Sequence, residues 1–393
     1  HQSAELYGSD KTLLLLLKYL DKNKFFPIVV LPNEGPLKEA LESENIEVII
    51  APIIKLHRKM FVPRNLFLIL NQVRRGFLLL NKLYKEHHFE IVYSNTLAVL
   101  LGYLFAKKNR IKHIWHVHEI IESPKIVNRI FRFLLARKNN SFTIYNSRAT
   151  ANFWESASVK RNNFNIICNG LEVPKEKFTS TEIDNFKKSL FGTSNAIIIG
   201  LVGRINRLKG HKTLLNAIKT LDKNKYKIVL VGSTVENQEH YLEELKKIVI
   251  SNDLEKNTVF LPFQNNINKI WQVIDIAVVP STEPESFGLV AVEAMLAKKP
   301  VIASNHGGLT EIVLHKNTGL LVEPNNEQEL KNAIKILINN ETLRLSMGEN
   351  GYKRAVEEFS VKKYVSEIEK ILANWDLSIK CIKKFIFATV KNS

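Results

Sequence analysis

Cysteine is scarce in this sequence of 393 residues, which contains only Cys168 and Cys381. They lie far apart and match no metal-binding or redox spacing, so we expect free thiols in a reducing compartment rather than a disulfide. Long apolar runs are also missing, because no stretch of about 18 or more apolar residues occurs. No charged segment followed by an apolar one opens the sequence, so we expect no secretory signal and a cytoplasmic protein.

Three common signatures of nucleotide or metal binding are absent as well. The Gly-Lys-Ser/Thr order of a P-loop does not occur, and neither does a Gly-x-Gly-x-x-Gly stretch. No Asp-x-Asp motif follows a predicted strand. The sequence therefore offers neither a P-loop nor the dinucleotide-binding fingerprint, and it offers no carboxylate pair of the Asp-x-Asp kind for a metal ion.

Positive charge is plentiful and unevenly distributed. The first 170 residues carry 25 Lys and Arg against 13 Asp and Glu, whereas the remaining 223 carry 31 against 26. A basic half favours an anionic partner such as nucleic acid, an acidic lipid surface or a phosphorylated substrate. Solvated surface lysines remain the alternative for any single cluster.

Short apolar runs alternate with longer helical patterns along the chain, which is typical of parallel α/β units. Most runs are continuously apolar, as in strands that helices cover on both faces. The predicted strands are residues 26–31, 46–51, 90–93, 113–117, 142–145 and 165–168 in the first half, and 196–202, 227–231, 259–262, 274–279, 301–303 and 320–322 in the second. The pattern predicts an α/β fold with two doubly wound parallel sheets.

The length favours two domains. We predict a first domain over residues 1–175, a polar linker over 176–194 and a second domain over 195–359. Helices predicted over 360–393 return to the first domain. A doubly wound domain normally opens with a strand, but residues 1–6 are few and polar, so we expect its first strand to be missing.

One motif of the second half combines a strand, a basic loop and a helix. The strand ends at Gly203, the loop carries Arg204 and Lys209, and a helix starts near Thr213. In this order, backbone amides and the positive end of the helix lie beside the two cations, which favours phosphate binding. Plain solvated charge is the alternative.

A second motif, PSTEPESFGLVAVEA, places Glu285 at the entrance of a helix predicted over residues 287–298, with Glu293 eight positions later. Paired carboxylates could be an acid and a base, two metal ligands, or acceptors for hydroxyl groups. A capping Glu285 and a buried structural Glu293 are the structural alternative.

Together, VGRINRLKG, the second motif, the following Gly-Gly pair and NTGLLVEP resemble a known family. They are similar to nucleotide-sugar glycosyltransferases of the GT-B fold, in the retaining group called family 4. In that family two Rossmann-like domains face each other across a cleft. The matching pieces here are Gly203-Arg204…Lys209-Gly210 and Glu285…Glu293.

The resemblance implies a role for each matching residue of the second half. Arg204 and Lys209 would hold the donor diphosphate, Glu293 would accept hydrogen bonds from ribose hydroxyls, and Glu285 would contact the donor sugar. The backbone around these residues would contribute to donor binding, at Gly203, Ser286, Phe287, Gly288 and Leu289. The resemblance implies no cofactor and no metal, only a UDP- or GDP-linked sugar as co-substrate.

Two stretches of the first half also match. The loop-like YGSDK resembles the family's glycine loop, with Gly8 and Ser9 where two glycines are usual. IWHVHEIIESP resembles its strand that ends in a histidine, and we prefer His118 over His116. A His-x-His metal site and a histidine in the core are the alternatives.

These implications predict a retaining, metal-independent glycosyltransferase in polysaccharide, lipopolysaccharide or glycolipid synthesis. Its partners would be a nucleotide-sugar donor, a glycan or lipid-linked acceptor and, through the basic and apolar residues 55–88, an anionic membrane surface at the inner face of the cell. The alternatives are a GT-B nucleotide-sugar epimerase or hydrolase, a glycosidase, or a non-enzymatic protein that binds anionic ligands. No nucleic-acid-binding motif is present, so we expect no nucleic-acid partner.

Overall fold

The computed structural model describes residues 4–51, 66–136, 141–155, 163–192, 195–264, 266–374 and 383–388. The described parts of His1–Leu171 and Val361–Ser393 form one compact unit, unit 1, and Glu172–Ser360 forms another, unit 2. Cys168 forms no disulfide with any described residue. Cys381 and residues 55–65 of the predicted membrane segment lie outside the described residues.

Unit 1 is built on a parallel sheet covered by helices. Its described strands are β1 (Phe25–Leu31), β2 (Glu47–Ile50), β3 (Ile91–Ser94), β4 (Lys112–Val117), β5 (Ser141–Tyr145), β6 (Phe164–Ile166) and β13 (Lys383–Ala388). Its described helices are α1 (Gly8–Tyr19), α2 (Pro36–Ser43), α3 (Leu66–His87), α4 (Leu100–Asn109), α5 (Lys125–Leu135), α6 (Arg148–Trp154) and α15 (Val361–Asn374). The strand order is β2-β1-β13-β3-β4-β5-β6.

Unit 2 repeats this architecture. Its described strands are β7 (Ile197–Val202), β8 (Tyr226–Val231), β9 (Thr258–Leu261), β10 (Ile276–Val279), β11 (Val301–Ser304) and β12 (Gly319–Val322). Its described helices are α7 (Ser180–Phe191), α8 (His211–Ile218), α9 (His240–Ser251), α10 (Ile267–Val273), α11 (Leu289–Leu296), α12 (Leu309–Ile312), α13 (Glu327–Asn339) and α14 (Glu341–Glu358). The strand order is β12-β11-β10-β7-β8-β9, and all pairs are parallel.

All twelve predicted strands are confirmed, with ends that move by a few residues. Their continuous apolar runs identified them, since β10 is buried along its whole length and β7 along most of it. The α/β fold with two doubly wound sheets is therefore confirmed.

The prediction of helices over residues 360–393 is only partly right. α15 is helical and belongs to unit 1, but residues 383–388 form β13, which pairs in parallel with both β1 and β3. The backbone N–H and C=O groups of β1 and β3 that face each other within the sheet need hydrogen-bond partners, and β13 between them supplies these partners. The segment KKFIFA suits this position because aromatic and β-branched residues favour strands.

The expected linker over 176–194 contains α7, which belongs to unit 2. The hydroxyl of Thr179 accepts a hydrogen bond from the backbone N–H of Glu182, and the Glu182 carboxylate accepts one from the N–H of Thr179. This capping box starts the helix. Lys187 on α7 then pairs with Asp275 (3.5 Å), beside the start of β10.

Candidate active site

The strand order of unit 2 places two loops side by side. The chain runs outward from β7 to β9 on one side and from β10 to β12 on the other, while β7 and β10 are neighbours. The loops that follow these two strands therefore meet at a topological switch point, where α/β proteins bind their ligands. These loops are residues 203–210 and 280–288.

A glycine permits the close contact between the loops. Gly210 has a φ of +72°, and a Cβ added there would lie 1.9 Å from the carbonyl oxygen of Pro280. Any side chain at this position would push the two loops apart. The contact brings the basic loop within reach of the carboxylate in the other loop.

The basic loop is shaped by Asn206. The side-chain oxygen of Asn206 accepts hydrogen bonds from the backbone N–H groups of Leu208 (3.0 Å) and Lys209 (3.2 Å). These bonds fix a 3-10 turn over Arg207–Lys209. The stem of Lys209 lies beside Gly203, where a Cβ would be 3.6 Å from its Cδ atom, and Arg204 is partly buried in the same loop.

The sequence-predicted Lys209 and Glu285 are directly paired. The ammonium nitrogen of Lys209 lies 2.8 Å from Glu285 Oε1, and the Ser281 hydroxyl donates to the same oxygen. Burial alone would raise the pKa of the Glu285 carboxyl, but the charge of Lys209 and the two hydrogen bonds outweigh it and lower the pKa. Glu285 is therefore an anion at neutral pH, with its side chain still 15% exposed.

His306 completes this cluster and was missed in the sequence. Its Nε2–H donates to the Ser281 carbonyl oxygen (2.9 Å), and burial lowers the pKa of the imidazole although nearby Glu285 opposes the shift. His306 is therefore neutral at physiological pH. Its position after β11, directly before Gly307, was the one available signal.

The predicted helix start is two residues too early. α11 begins at Leu289, and Gly288 caps it with a φ of +113°, while Ser286 and Phe287 precede the helix. The Phe287 side chain is buried, so only its backbone could contact a ligand. In the first turn, the Ala291 amide donates to the Gly288 carbonyl oxygen (2.9 Å), whereas the amides of Leu289 and Val290 precede any carbonyl four residues back within the helix.

Glu293 lies in the second turn of α11 and is partly buried. It belongs to the same helix as the capping Gly288, so its position relative to the Glu285 loop is fixed by the helix. The ion pair between Lys209 and Glu285 lies at the loop that leads into this helix.

In unit 1, His118 joins two other polar groups at the ends of strands. It follows β4, and its Nε2 donates to the side-chain oxygen of Asn95 (2.9 Å), which follows β3. The Asn95 amide in turn donates to the Ser9 carbonyl oxygen (3.5 Å). The structure thus brings together Ser9 and His118, which the sequence singled out, through Asn95, which it did not.

His116 has a structural environment. It is fully buried, its Nδ1 lies 2.8 Å from the Tyr93 hydroxyl, and burial lowers its pKa to about 3. Its ring lies 4.0 Å from that of His118, centroid to centroid. His116 lies within β4, whereas His118 directly follows the end of this strand.

Glu119, next to His118, is a second carboxyl group that the sequence did not single out. Its Oε2 accepts the backbone N–H groups of Leu97 (3.3 Å) and His118 (3.1 Å), and the Trp154 indole donates to its carbonyl oxygen (2.7 Å). Burial raises the pKa of Glu119 to about 7, because it outweighs these hydrogen bonds.

The predicted loop YGSDK is the first turn of α1. Gly8 is its first residue, and the Asp10 carboxylate accepts the backbone N–H of Tyr7 (3.2 Å), which caps the helix. Gly8 is exposed.

The described residues lack two further features. No group of three or more His, Cys, Asp or Glu side chains there is arranged to hold a metal ion. Among the helices described, none has the length and apolar character that a membrane crossing needs.

Comparisons with known proteins give a consistent result. The family model described as Glycosyltransferase Family 4 matches residues 7–174, and the model described as Glycosyl transferases group 1 matches residues 182–354. Together they span most of the chain, one in each half.

Individual proteins agree. An uncharacterized glycosyltransferase of Methanocaldococcus jannaschii is 29% identical over 90% of this chain and 91% of its own. The capsular polysaccharide biosynthesis glycosyltransferase CapM of Staphylococcus aureus is 28% identical over 52% of each chain. The crystal structure of Anabaena HepE in complex with UDP and glucose is 26% identical, covers 95% of this chain and 98% of its own, and superposes with a TM-score of 0.82.

The two matching families, the switch-point cluster and the two parallel sheets lead to the same assignment. The chain belongs to the family 4 glycosyltransferases and has their GT-B fold of two Rossmann-like domains.

Proposed function

We propose that this glycosyltransferase moves a sugar from a nucleotide diphosphate donor to a hydroxyl of a glycan or lipid-linked acceptor, with retention at the anomeric carbon. The observation that carries the proposal is the ion pair between Lys209 and Glu285 at the switch point of unit 2. A cation held beside a sugar-binding carboxylate suits a ligand that contains both a phosphate and hydroxyl groups.

The donor roles follow from this cluster. Lys209 and Arg204 hold the diphosphate, together with the backbone at Gly203 and the first-turn amides of α11 at Leu289. Glu285 accepts hydrogen bonds from the donor sugar, next to the backbone of Ser286, Phe287 and Gly288. Glu293 accepts hydrogen bonds from the ribose hydroxyls.

The same cations support the chemical step. The bond from the anomeric carbon to the diphosphate oxygen breaks, the acceptor oxygen bonds to that carbon on the same face, and the acceptor proton passes to the departing phosphate oxygen. Lys209 and Arg204 stabilise the negative charge that develops on the leaving group. We therefore propose that no metal ion is needed.

Unit 1 supplies the acceptor-side groups in this proposal. His118, held by Asn95, and the backbone of Gly8 and Ser9 offer hydrogen-bonding groups. Such groups suit sugar hydroxyls, which both donate and accept hydrogen bonds. The reaction would take place in the cytoplasm, at the inner face of the membrane if the acceptor is lipid-linked.

The relatives support two finer points. HepE was crystallised with UDP and glucose and also with UDP-glucose, which favours a UDP-sugar donor here. CapM acts in capsular polysaccharide biosynthesis, which favours a cell-surface glycan as product.

A donor panel followed by product analysis tests the proposal. We expect UDP-sugars to raise the melting temperature more than GDP- or ADP-sugars, in the presence of a chelator as well as without one. With an acceptor, NMR of the product should show the anomeric configuration of the donor. An inverted product, or epimerised or hydrolysed donor without any transfer, would contradict it.

A variant of Lys209 and a matched control in the same turn test whether Lys209 takes part in the chemical step. Lys209→Met should lower kcat by about 10²–10³-fold, because it removes a charge that stabilises the leaving group. Arg207→Met is the matched control, since Arg207 belongs to the same 3-10 turn but is 64% exposed and pairs with Glu283. Equal losses in the two variants would argue against a specific role for Lys209.

A further inference from the structure

The loop after β11 holds a histidine against the loop after β10. The backbone N–H of Gly308 donates to the Glu285 carbonyl oxygen (2.7 Å). Gly307 has a φ of +59°, and a Cβ added there would lie 2.5 Å from the same carbonyl oxygen. His306 directly precedes these two glycines. Its position is therefore fixed beside the residue whose carboxylate is proposed to contact the donor sugar.

The hydrogen bond that His306 makes determines what its other ring nitrogen can do. Nε2 lies 2.9 Å from the Ser281 carbonyl oxygen, which can only accept, so Nε2 carries the hydrogen. Because burial lowers the pKa and keeps the imidazole neutral at physiological pH, Nδ1 carries a lone pair and can only accept. Nδ1 has no hydrogen-bond partner among the described residues, and the side chain is only partly buried. His306 thus has one acceptor that its own loop does not use.

The Glu285 carboxylate has an unused acceptor as well. Its Oε1 accepts from both the Lys209 ammonium group and the Ser281 hydroxyl. Its Oε2 accepts from no side chain or backbone group within the described part of the chain. The charge of Glu285 acts on the His306 imidazole, so the two side chains lie close together. Two neighbouring acceptors without protein donors suit a ligand with several hydroxyl groups, since each hydroxyl can donate.

We propose that His306 is a specificity-determining residue for the donor sugar. Its Nδ1 accepts a hydrogen bond from one sugar hydroxyl, while Glu285 Oε2 accepts from another. A site that hydrogen-bonds a hydroxyl discriminates against sugars that lack it or hold it in another orientation, because the acceptor is then left unpaired. The proposal rests on the nucleotide-sugar donor site proposed above, and it adds a side chain that contacts the sugar rather than the nucleotide.

A purely structural role is the alternative, in which His306 acts only by holding Ser281 through Nε2. Two conservative variants separate the two roles. The longer side chain in His306→Gln places an amide nitrogen near the Nε2 position, which keeps a donor for the Ser281 carbonyl oxygen and removes the Nδ1 acceptor. The shorter one in His306→Asn places an amide oxygen near the Nδ1 position, which keeps the acceptor and removes the hydrogen bond to Ser281.

Calorimetric titration of the full chain with UDP, UDP-glucose, UDP-galactose and UDP-N-acetylglucosamine tests the proposal. We expect the unchanged protein to bind one of the three UDP-sugars most tightly. For that sugar, His306→Gln should raise Kd by about tenfold, because one hydrogen bond to the sugar is lost, and it should leave the Kd of UDP unchanged. His306→Asn should keep the Kd of the same UDP-sugar within about threefold.

A matched control uses a histidine outside the proposed donor site. His315 is exposed, precedes β12 and accepts the backbone N–H of Leu321 through its Nδ1 (3.0 Å). His315→Gln should leave all four Kd values unchanged. In each variant, an unchanged Kd for UDP shows that unit 2 is folded.

Three results would overturn the proposal. The unchanged protein could bind the three UDP-sugars with equal Kd values. His306→Gln could bind the preferred UDP-sugar as the unchanged protein does, which would leave His306 only a structural role if His306→Asn weakens binding. The two variants could also weaken binding equally, although only one of them lacks the acceptor. A failure of the unchanged protein to bind UDP at all would instead contradict the UDP-sugar donor of the proposed function itself.

Discussion

Two carboxyl groups follow parallel strands at the same edge of their respective sheets, Glu285 after β10 in unit 2 and Glu119 after β4 in unit 1. Glu285 accepts from the ammonium group of Lys209, and its pKa is lowered in spite of burial. Glu119 accepts from the backbone amides of Leu97 and His118, and burial raises its pKa to about 7. Hydrogen bonds from two backbone amides do not offset the rise in carboxyl pKa that burial causes, whereas the charge of a nearby ammonium group does.

Because of this difference, the two sheet edges suit ligands of different chemistry. The edge of unit 2 holds opposite charges side by side, so an anionic ligand can exchange places with a carboxylate as the partner of Lys209. The edge of unit 1 holds hydrogen-bonding groups at His118 and Asn95. Such groups suit sugar hydroxyls, which agrees with donor and acceptor roles for units 2 and 1.

The largest effect should come from separating the two loops that form the charged cluster. Gly210→Ala would place a Cβ against the Pro280 carbonyl oxygen, in a left-handed conformation, and should lower the free energy of unfolding by about 3 kcal/mol or more. Gly192 also has a positive φ but has open space around it, so Gly192→Ala should lower the free energy of unfolding by only about 1 kcal/mol. Urea unfolding of both variants measures the difference, and equal costs would show that the close approach is unimportant.

A second change should make Glu285 resemble Glu119. Lys209→Met removes the cation and leaves the burial, so the pKa of Glu285 should rise above its ordinary value of 4.5. In the unchanged protein the lowered pKa stabilises the fold above that value, and the stabilisation is lost as pH falls through the folded pKa. In the variant the pH dependence of stability has the opposite sign, and the free energy of unfolding should fall by about 2 kcal/mol as pH rises toward neutral. Unfolding free energies measured across this pH range test the reversal.

The smallest effect concerns Glu119. Its folded pKa of about 7 lies above the ordinary 4.5, so the folded state binds the proton more tightly and loses stability as pH rises between these values. Glu119→Gln keeps an acceptor for the two amides and carries no charge. It should remove this pH dependence and stabilise the protein above neutral pH by roughly 1–3 kcal/mol. An unchanged pH profile in the variant would show that Glu119 does not titrate in this range.

Much of the fold was predictable because it depends on local composition. Twelve strands appeared as apolar runs, and Lys209 and Glu285 were identifiable from the motifs around them. β13 was not predictable, because its position depends on a gap between β1 and β3 that a short basic and apolar segment does not reveal.

The partners within each cluster were also hidden in the sequence. Asn95 meets His118 and His306 meets Ser281 because their strands are ordered in a particular way within the sheets. Strand order is a long-range property, and the spacing of residues along the chain does not encode it directly. Glu119 was missed because its raised pKa arises from burial, which only the packed structure defines.

The central claim, that a nucleotide donor binds at the basic loop of unit 2, is tested most directly by calorimetric titration with UDP. Arg204→Met and Glu293→Ala should each weaken UDP binding by about tenfold or more, since each removes a charged side chain that contacts the ligand in the proposed site. Arg207→Met should bind UDP as the unchanged protein does, because its ion pair with Glu283 is exposed. Unchanged affinity in both Arg204→Met and Glu293→Ala would contradict the account.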